Sequence, residues 1–543
     1  MSPQSYRDLV PTELRRSWSA AGIYPDVPVF TLFDRFATTD PARPAVLDAE
    51  GSVTYGELRE LALRFAGGLA AHGVGVGDVI AAQLPNSRYS CVVDLAAAAM
   101  GAVVLPFPAG RGRRDIASLL TASRARVVVI TATHDGFDVR RTVESLRREL
   151  ADLELVVLLD DLAAVLAPVP LDRADQPAVD PDNVVRVLVS SGSESTPKLV
   201  AYSHNALVGG RGQFLSRLQR DGEHMRGMFL VPLGSSFGSC ATFGVLCTLG
   251  GTLVLRPGFS VTGTLKAVAE DRPTHLFGVP TMFQRLLASP LLADTDISSL
   301  VAVVSGGAII DPPTAAGCAR DLGSAFVSLY GSADGVNCHT LLDDDIAVAQ
   351  HTVGRPNAAV CSIRIVDADG RDCPDGGSGE VLARGPLSPH CYVNDPVMDA
   401  RHRTADGWVR TGDLGMIDND GRLRLVGRKK DVVIRGGANI SPAEVEGLLA
   451  EHPAVLGVVC VGIDDPDLGQ RLCACVMPAP HADPLTLPDL QEFLRSAGLE
   501  PRKFPEQLVV SAEFPLTPAG KVDKAALVAG LDTAVNDQAQ VTR

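Results

Sequence analysis

Arg186-Val187-Leu188-Val189-Ser190-Ser191-Gly192-Ser193-Glu194-Ser195-Thr196-Pro197-Lys198 is the stretch around which the rest of the chain can be read. Its first residues form a short apolar run of strand type, and the run empties into a loop of small and hydroxylated residues. Small residues let backbone N–H groups turn toward an anion, and five hydroxyls and one lysine can donate to phosphate oxygens. The GxxxxGK[ST] spacing of a Walker loop is missing. A serine-rich surface turn has the same composition, and Glu194 sits awkwardly beside phosphates unless it points outward or helps to hold a metal.

Toward the N-terminus, strand and helix patterns alternate. Residues 58–69 space Leu, Ala and Phe with helical period, and Gly73 stops the helix near His72. Val79-Ile80-Ala81-Ala82-Gln83-Leu84 reads as a buried strand ended by Pro85-Asn86. A helix through 94–100 and the run Val103-Val104-Leu105 follow, then buried strands at 126–130 and 155–159. This alternation predicts an α/β fold with parallel sheets. Pro168, Pro170, Pro177 and Pro181 mark an extended connector ahead of the quoted stretch. From about residue 432 the pattern becomes short α+β, which predicts a small C-terminal domain.

Composition narrows the function. Hydrophobic residues make up 46% and charged residues 21% of 543, enough for a sizeable core and against global disorder. A net charge of −15 argues against nucleic acid or an anionic membrane as the main partner. No apolar run is long enough to span a bilayer, and Met1-Ser2-Pro3-Gln4-Ser5 lacks the shape of a signal peptide. The 11 cysteines form no CxxC pair, and only Cys473 and Cys475 lie close together, so a reduced cytoplasmic protein is expected.

The 190–198 loop resembles the phosphate loop, TSGTTGxPK, of the acyl-adenylate-forming superfamily. The resemblance recurs in order along most of the chain. Tyr330-Gly331-Ser332-Ala333-Asp334 is similar to YGxTE, and Arg410-Thr411-Gly412-Asp413 to the TGD motif. Gly427-Arg428-Lys429-Lys430-Asp431, with Gly436-Gly437-Ala438-Asn439-Ile440 and Pro442-Ala443-Glu444-Val445-Glu446, resembles the hinge and the loop after it. Pro515-Leu516-Thr517-Pro518-Ala519-Gly520-Lys521-Val522-Asp523-Lys524 resembles the catalytic-lysine motif. Asp334-Gly335-Val336-Asn337 and Lys198-Leu199-Val200 lean toward the stand-alone aryl-acid ligases of that superfamily.

The resemblance implies an AMP-forming ligase using ATP and Mg²⁺. Ser190, Ser191, Gly192, Ser193, Ser195 and Lys198 would grip the β- and γ-phosphates. Gly306, Gly307 and Ala308, after the apolar run 300–304, would sandwich adenine with Tyr330, beside Gly331 and Ser332. Asp334, where the family usually has Glu, would hold Mg²⁺ on a shorter arm. Asp413 would accept the ribose hydroxyls, Arg428 would hold ribose or phosphate, and Lys521 would enter as the α-phosphate is attacked. Residues 1–428 would bind ATP and substrate, while 429–543 would form a mobile lid turning at Lys430. The acyl group would then pass to the thiol of CoA or of an external carrier protein, since no carrier domain with a DSL motif is evident in the chain.

Val231-Pro232-Leu233-Gly234-Ser235-Ser236-Phe237-Gly238 corresponds to a segment of the acyl pocket. Dihydroxybenzoate and salicylate ligases usually have His-Asn there, the Asn reading the ring 2-hydroxyl; here the pair is Ser235-Ser236. A site that loses a dedicated hydroxyl partner loses much of its discrimination, so 2-hydroxybenzoate does not carry over. Phe237, Ser239, Cys240, Gly331, Ser332 and Val336 are further candidate lining residues, a small and weakly polar set with no evident side-chain cation for a second carboxylate. Two alternatives stay open: the same chemistry on nitrite to diazotise an arylamine, and a catalytically degraded nucleotide-binding or regulatory protein.

Overall fold

The computed structural model describes residues 6–190, 198–435, 438–465, 467–479, 482–517 and 521–531. Ser191, Gly192, Ser193 and Ser195 of the glycine and hydroxyl loop, Gly436-Gly437 of the hinge loop, and 518–520 ahead of Lys521 therefore lie outside the described residues.

The apolar runs come together as a parallel sheet. Val184–Val189, Val103–Pro106, Val79–Gln83, Val127–Ile130 and Leu155–Leu158 lie side by side in that order. Each residue of the first four strands is buried, which is why, Arg186 and Gln83 apart, they read as apolar runs and not as alternations. Leu199–Ser203 returns antiparallel to Val184–Val189, and Cys391–Tyr392 closes that edge. These two strands, Val184–Val189 and Leu199–Ser203, pair as a hairpin, and the pairing extends to Ser190 and Lys198: Ser190 N–H donates to the Lys198 carbonyl (2.9 Å) and Lys198 N–H to Ser190 Oγ (3.2 Å).

A second sheet has eight strands. Its parallel centre contains Ala325–Ser332, Ala302–Gly306, His275–Gly278, Arg226–Phe229, Thr252–Val254 and Pro44–Asp48. The helix Arg88–Ala99 touches strands of both sheets and is buried without a break from Cys91 to Ala99; its short side chains suit an enclosed position. This helix carries Asp94 into the core, where the carboxylate meets the buried guanidinium of Arg186 at 2.9 Å. Arg186 also donates through Nη2 to the carbonyl of Leu233 at 3.0 Å.

Ser362–Val366, Gly379–Arg384, Val409–Ile417 and Leu423–Arg428 form an antiparallel four-stranded sheet. After Arg428 the chain enters a separate sheet of Val433–Arg435, Ala438–Ile440, Val455–Asp465, Gly469–Pro478 and Gln507–Val510. Helices Pro442–Leu449 and Leu487–Ser496 pack on it around a core of their own that includes Val445, Leu449, Leu472 and Leu494. Lys430 lies in the turn between the two sheets. No helix among the described residues is long and apolar enough to cross a membrane.

Candidate active site

A cavity of about 630 Å³ lies at the carboxyl ends of the parallel strands. Val189, Val231, Val279 and Gly307, each at or just past such an end, contribute to its wall. Open α/β sheets generally bind ligands at this end, where loops diverge. Ser190 and Lys198 enter from the end of that hairpin; Ser235, Ser236 and Phe237 from the loop after Arg226–Phe229. Gly331 and Ser332 come from the end of Ala325–Ser332, Asp334 from the turn after it and Val336 from the start of the next strand, Val336–His339. Arg428, Lys430 and Lys521 close the far side.

Lys521 reaches this cavity from the C-terminal segment. Gly307 makes room for it: at φ +85° its backbone favours glycine, and a Cβ there would stand 3.1 Å from Lys521 Cε. Burial and the neighbouring Arg428 bring the Lys521 ammonium down to about 8, while Asp413 pulls the other way. Asp413 lies beneath the wall, its Oδ2 accepting from the Tyr330 hydroxyl (2.7 Å) and its Oδ1 paired with Arg428 Nε (2.8 Å). Burial pushes the Asp413 carboxyl up, against the pull of Arg428 and of that hydroxyl. Both oxygens already have a partner, so ribose hydroxyls would use the remaining lone pairs or exchange with one of them.

Asp334 faces the cavity from a tight turn in which its N–H donates to Ser332 Oγ (3.1 Å). Its Oδ1 accepts from the hydroxyl of Tyr392 at 2.6 Å. The same Tyr392 ring has Lys198 Nζ 5.8 Å from its centroid, so one aromatic side chain touches both groups expected at the phosphates. Among the described residues no three His, Cys, Asp or Glu side chains form a metal cage. A lone carboxylate suits Mg²⁺ that takes its other ligands from phosphate oxygens and water, so the residues present fit the ion.

Other placements differ from expectation. Gly307 belongs to the cavity wall, but Gly306 is buried against Leu329 and Ala308 is exposed outside it. Tyr330 is likewise buried, with its hydroxyl committed to Asp413. Ser239 is not a lining residue: it is 1% exposed, donates to the Ser236 carbonyl (2.6 Å) and accepts from Arg211 Nη1 (2.9 Å). That arginine corrects the picture of a pocket without a cation, because Arg211 lines the cavity beside Ser236 and Cys240. No motif surrounds it; the one local signal is a positive charge set in the otherwise apolar and small stretch Ala206-Leu207-Val208-Gly209-Gly210.

The profile of the AMP-binding enzyme family matches residues 33–393, and that of the AMP-binding enzyme C-terminal domain matches 444–521. The chain belongs to the AMP-binding enzyme family. As an AMP-binding enzyme it is an AMP-forming ligase, which adenylates its substrate before transferring it. It is 31% identical over 542 residues to the 2-hydroxy-7-methoxy-5-methyl-1-naphthoate–CoA ligase of Streptomyces carzinostaticus, covering 95% of each chain. It is 30% identical to the salicyl-AMP ligase of Mycobacterium tuberculosis, covering 96% of this chain and 94% of that one. Among solved structures, the amide bond synthetase of Marinactinospora thermotolerans superposes with a TM-score of 0.82 at 28% identity, over 93% of this chain and 100% of that one. The two ligases are named for aromatic acids, and the nitrite alternative gains no support from them.

Proposed function

We propose that this AMP-binding enzyme activates an aromatic carboxylic acid with ATP and passes the acyl group to a pantetheine thiol, on CoA or on an external carrier protein. The observation that carries the reading is Lys521: it comes from the C-terminal segment to lie against Gly307, in one cavity with Lys198, Asp334 and Arg428. The substrate class is supported by the aromatic acids for which its relatives are named.

In this reading the acid carboxylate attacks the α-phosphorus of ATP and pyrophosphate leaves. Lys198 and the loop it closes hold the β- and γ-phosphates. Asp413 and Arg428 receive the ribose, with Tyr330 fixing Asp413 from behind. Lys521 donates to the non-bridging oxygens as charge gathers on the crowded phosphorus, the kind of electrostatic help that counts most in the transition state. Asp334 would hold Mg²⁺, which when bound neutralises phosphate charge. Residues 429–543 act as a lid turning at Lys430, which withdraws Lys521 so that the thiol can reach the adenylate. ATP–pyrophosphate exchange across a panel of aryl acids, alkyl acids and nitrite with an arylamine tests the reading. Exchange should depend on an aryl acid; exchange with nitrite alone, or with nothing in the panel, overturns it.

A further inference from the structure

The cavity contains a positive charge that the proposed reaction leaves unused. Arg211 ends the π-helical stretch Ala206–Arg211, a local widening of the helix often found where a side chain must be aimed at a ligand. Its side chain joins Phe214, Phe237 and Cys240 in the cavity wall. Only 8% of the residue is exposed. Nη1 donates to the Ser236 carbonyl (3.0 Å) and to Ser239 Oγ (2.9 Å), and the guanidinium carbon stands 4.9 Å from the centroid of the Tyr202 ring.

Two groups in this wall are left open. Arg211 Nε is buried with no hydrogen-bond partner, and among the described residues no carboxylate pairs with the guanidinium. Asn337 lines the same cavity, and its Oδ1 is also buried without a partner. Other deeply buried arginines also have an unpartnered Nε, but each has a counter-charge that Arg211 lacks among the described residues: Arg186 lies against Asp94 and Arg403 against Asp399. Buried charges normally have a counter-charge, because desolvation is costly and the ring of Tyr202 offsets only part of it. An arginine that lacks one, faces a cavity and keeps an unused donor is arranged to receive an anion from outside the chain.

We propose that Arg211 is a specificity-determining residue that receives a second oxyanion on the acid, a ring carboxylate or phenolate, while the reacting carboxylate faces ATP. This rests on the acid-adenylating reading above. The apolar neighbours Phe214 and Phe237 suit the ring that carries the two groups.

The test uses the full-length enzyme with the three benzenedicarboxylates and the three hydroxybenzoates, each paired with its neutral monomethyl ester or methyl ether. In the exchange assay at least one diacid or hydroxyacid should exceed its neutral partner by about 10²-fold in kcat/KM, the scale of discrimination that a dedicated polar contact provides. In Arg211→Gln that ratio should fall at least tenfold, through the KM for the acid, and Arg211→Lys should restore part of it. An unchanged ratio in Arg211→Gln would make Arg211 a strut of the 235–240 turn and overturn the proposal. A rise confined to the KM for ATP would place the guanidinium at the phosphates and overturn it equally. Exchange by wild type without preference for any charged partner overturns the proposal and leaves the adenylation reading standing. Equilibrium dialysis of the same pairs reads the site even where no acid turns over: the Arg211-dependent preference must appear in binding, and equal binding of both partners to wild type also overturns it.

Discussion

Lys521 and Asp334 make separable demands on the reaction. Lys521→Ala should leave folding and ATP binding nearly intact and cut adenylate formation by about 10²-fold or more, since the contact matters as charge develops on phosphorus. Single-turnover formation of the adenylate measures this, and an unchanged rate removes Lys521 from the chemistry. Asp334→Asn should raise the Mg²⁺ concentration needed for half-maximal exchange, because an amide is a poorer ligand for a hard cation. A Mg²⁺ titration superimposable on wild type would instead leave Asp334 as a partner of Tyr392 alone. Lys198, Asp334, Arg428 and Lys521 are legible in the amino-acid sequence because each sits in a contiguous motif. Tyr392 is not: it reaches Asp334 from 58 residues away, and nothing local marks it. Arg211 is hidden for a related reason, since the π-helical turn that aims it has no compositional signature and its partners Ser236, Ser239 and Tyr202 are set only by folding.

Among the elements, buried parallel strands are the most legible, because burial on both faces leaves no polar alternation to interpret. The strands Leu199–Ser203 and Cys391–Tyr392 escape a reading of the sequence; one is masked by the loop before it, and the other is two residues long. The helix Arg88–Ala99 is recognisable only in part, its apolar pattern being interrupted by Asp94. That interruption is structural: Asp94 neutralises Arg186 inside the core. Asp94→Asn should therefore lower stability by about 3 kcal/mol, the scale for leaving one charge of a buried pair uncompensated. Denaturant unfolding measures it, and a midpoint within error of wild type would mean that the guanidinium is satisfied without its aspartate.

For the whole molecule, the proposed turning of residues 429–543 as a lid makes its own predictions. Proline fixes φ near −65° and removes a backbone donor, so Lys430→Pro should separate the half-reactions. Either adenylation survives and thiol transfer collapses, or the reverse, according to the pose that is trapped; single-turnover rates equal to wild type in both steps would move the hinge elsewhere. Proton binding supplies a second handle. Lys521 within the cavity loses its proton at about 8, whereas an ordinary lysine does so at 10.5, so the docked state holds fewer protons between those values. In the absence of nucleotide, docking should strengthen as pH rises from 8 to 10.5, and Lys521→Met should abolish the trend. Distance measurements between fluorophores on the two parts of the chain would show it, and a flat profile in wild type refutes it. One further connection spans the molecule. Arg186 lies on the strand that leads to the loop proposed to hold phosphate and also holds the carbonyl of Leu233, in the segment proposed to line the acid pocket. Laboratory evolution toward a new acid would find the two substrates mechanically yoked: replacements that shift the backbone around Leu233 should surface as altered ATP saturation, and libraries that spare this residue should retain nucleotide use while acid preference drifts.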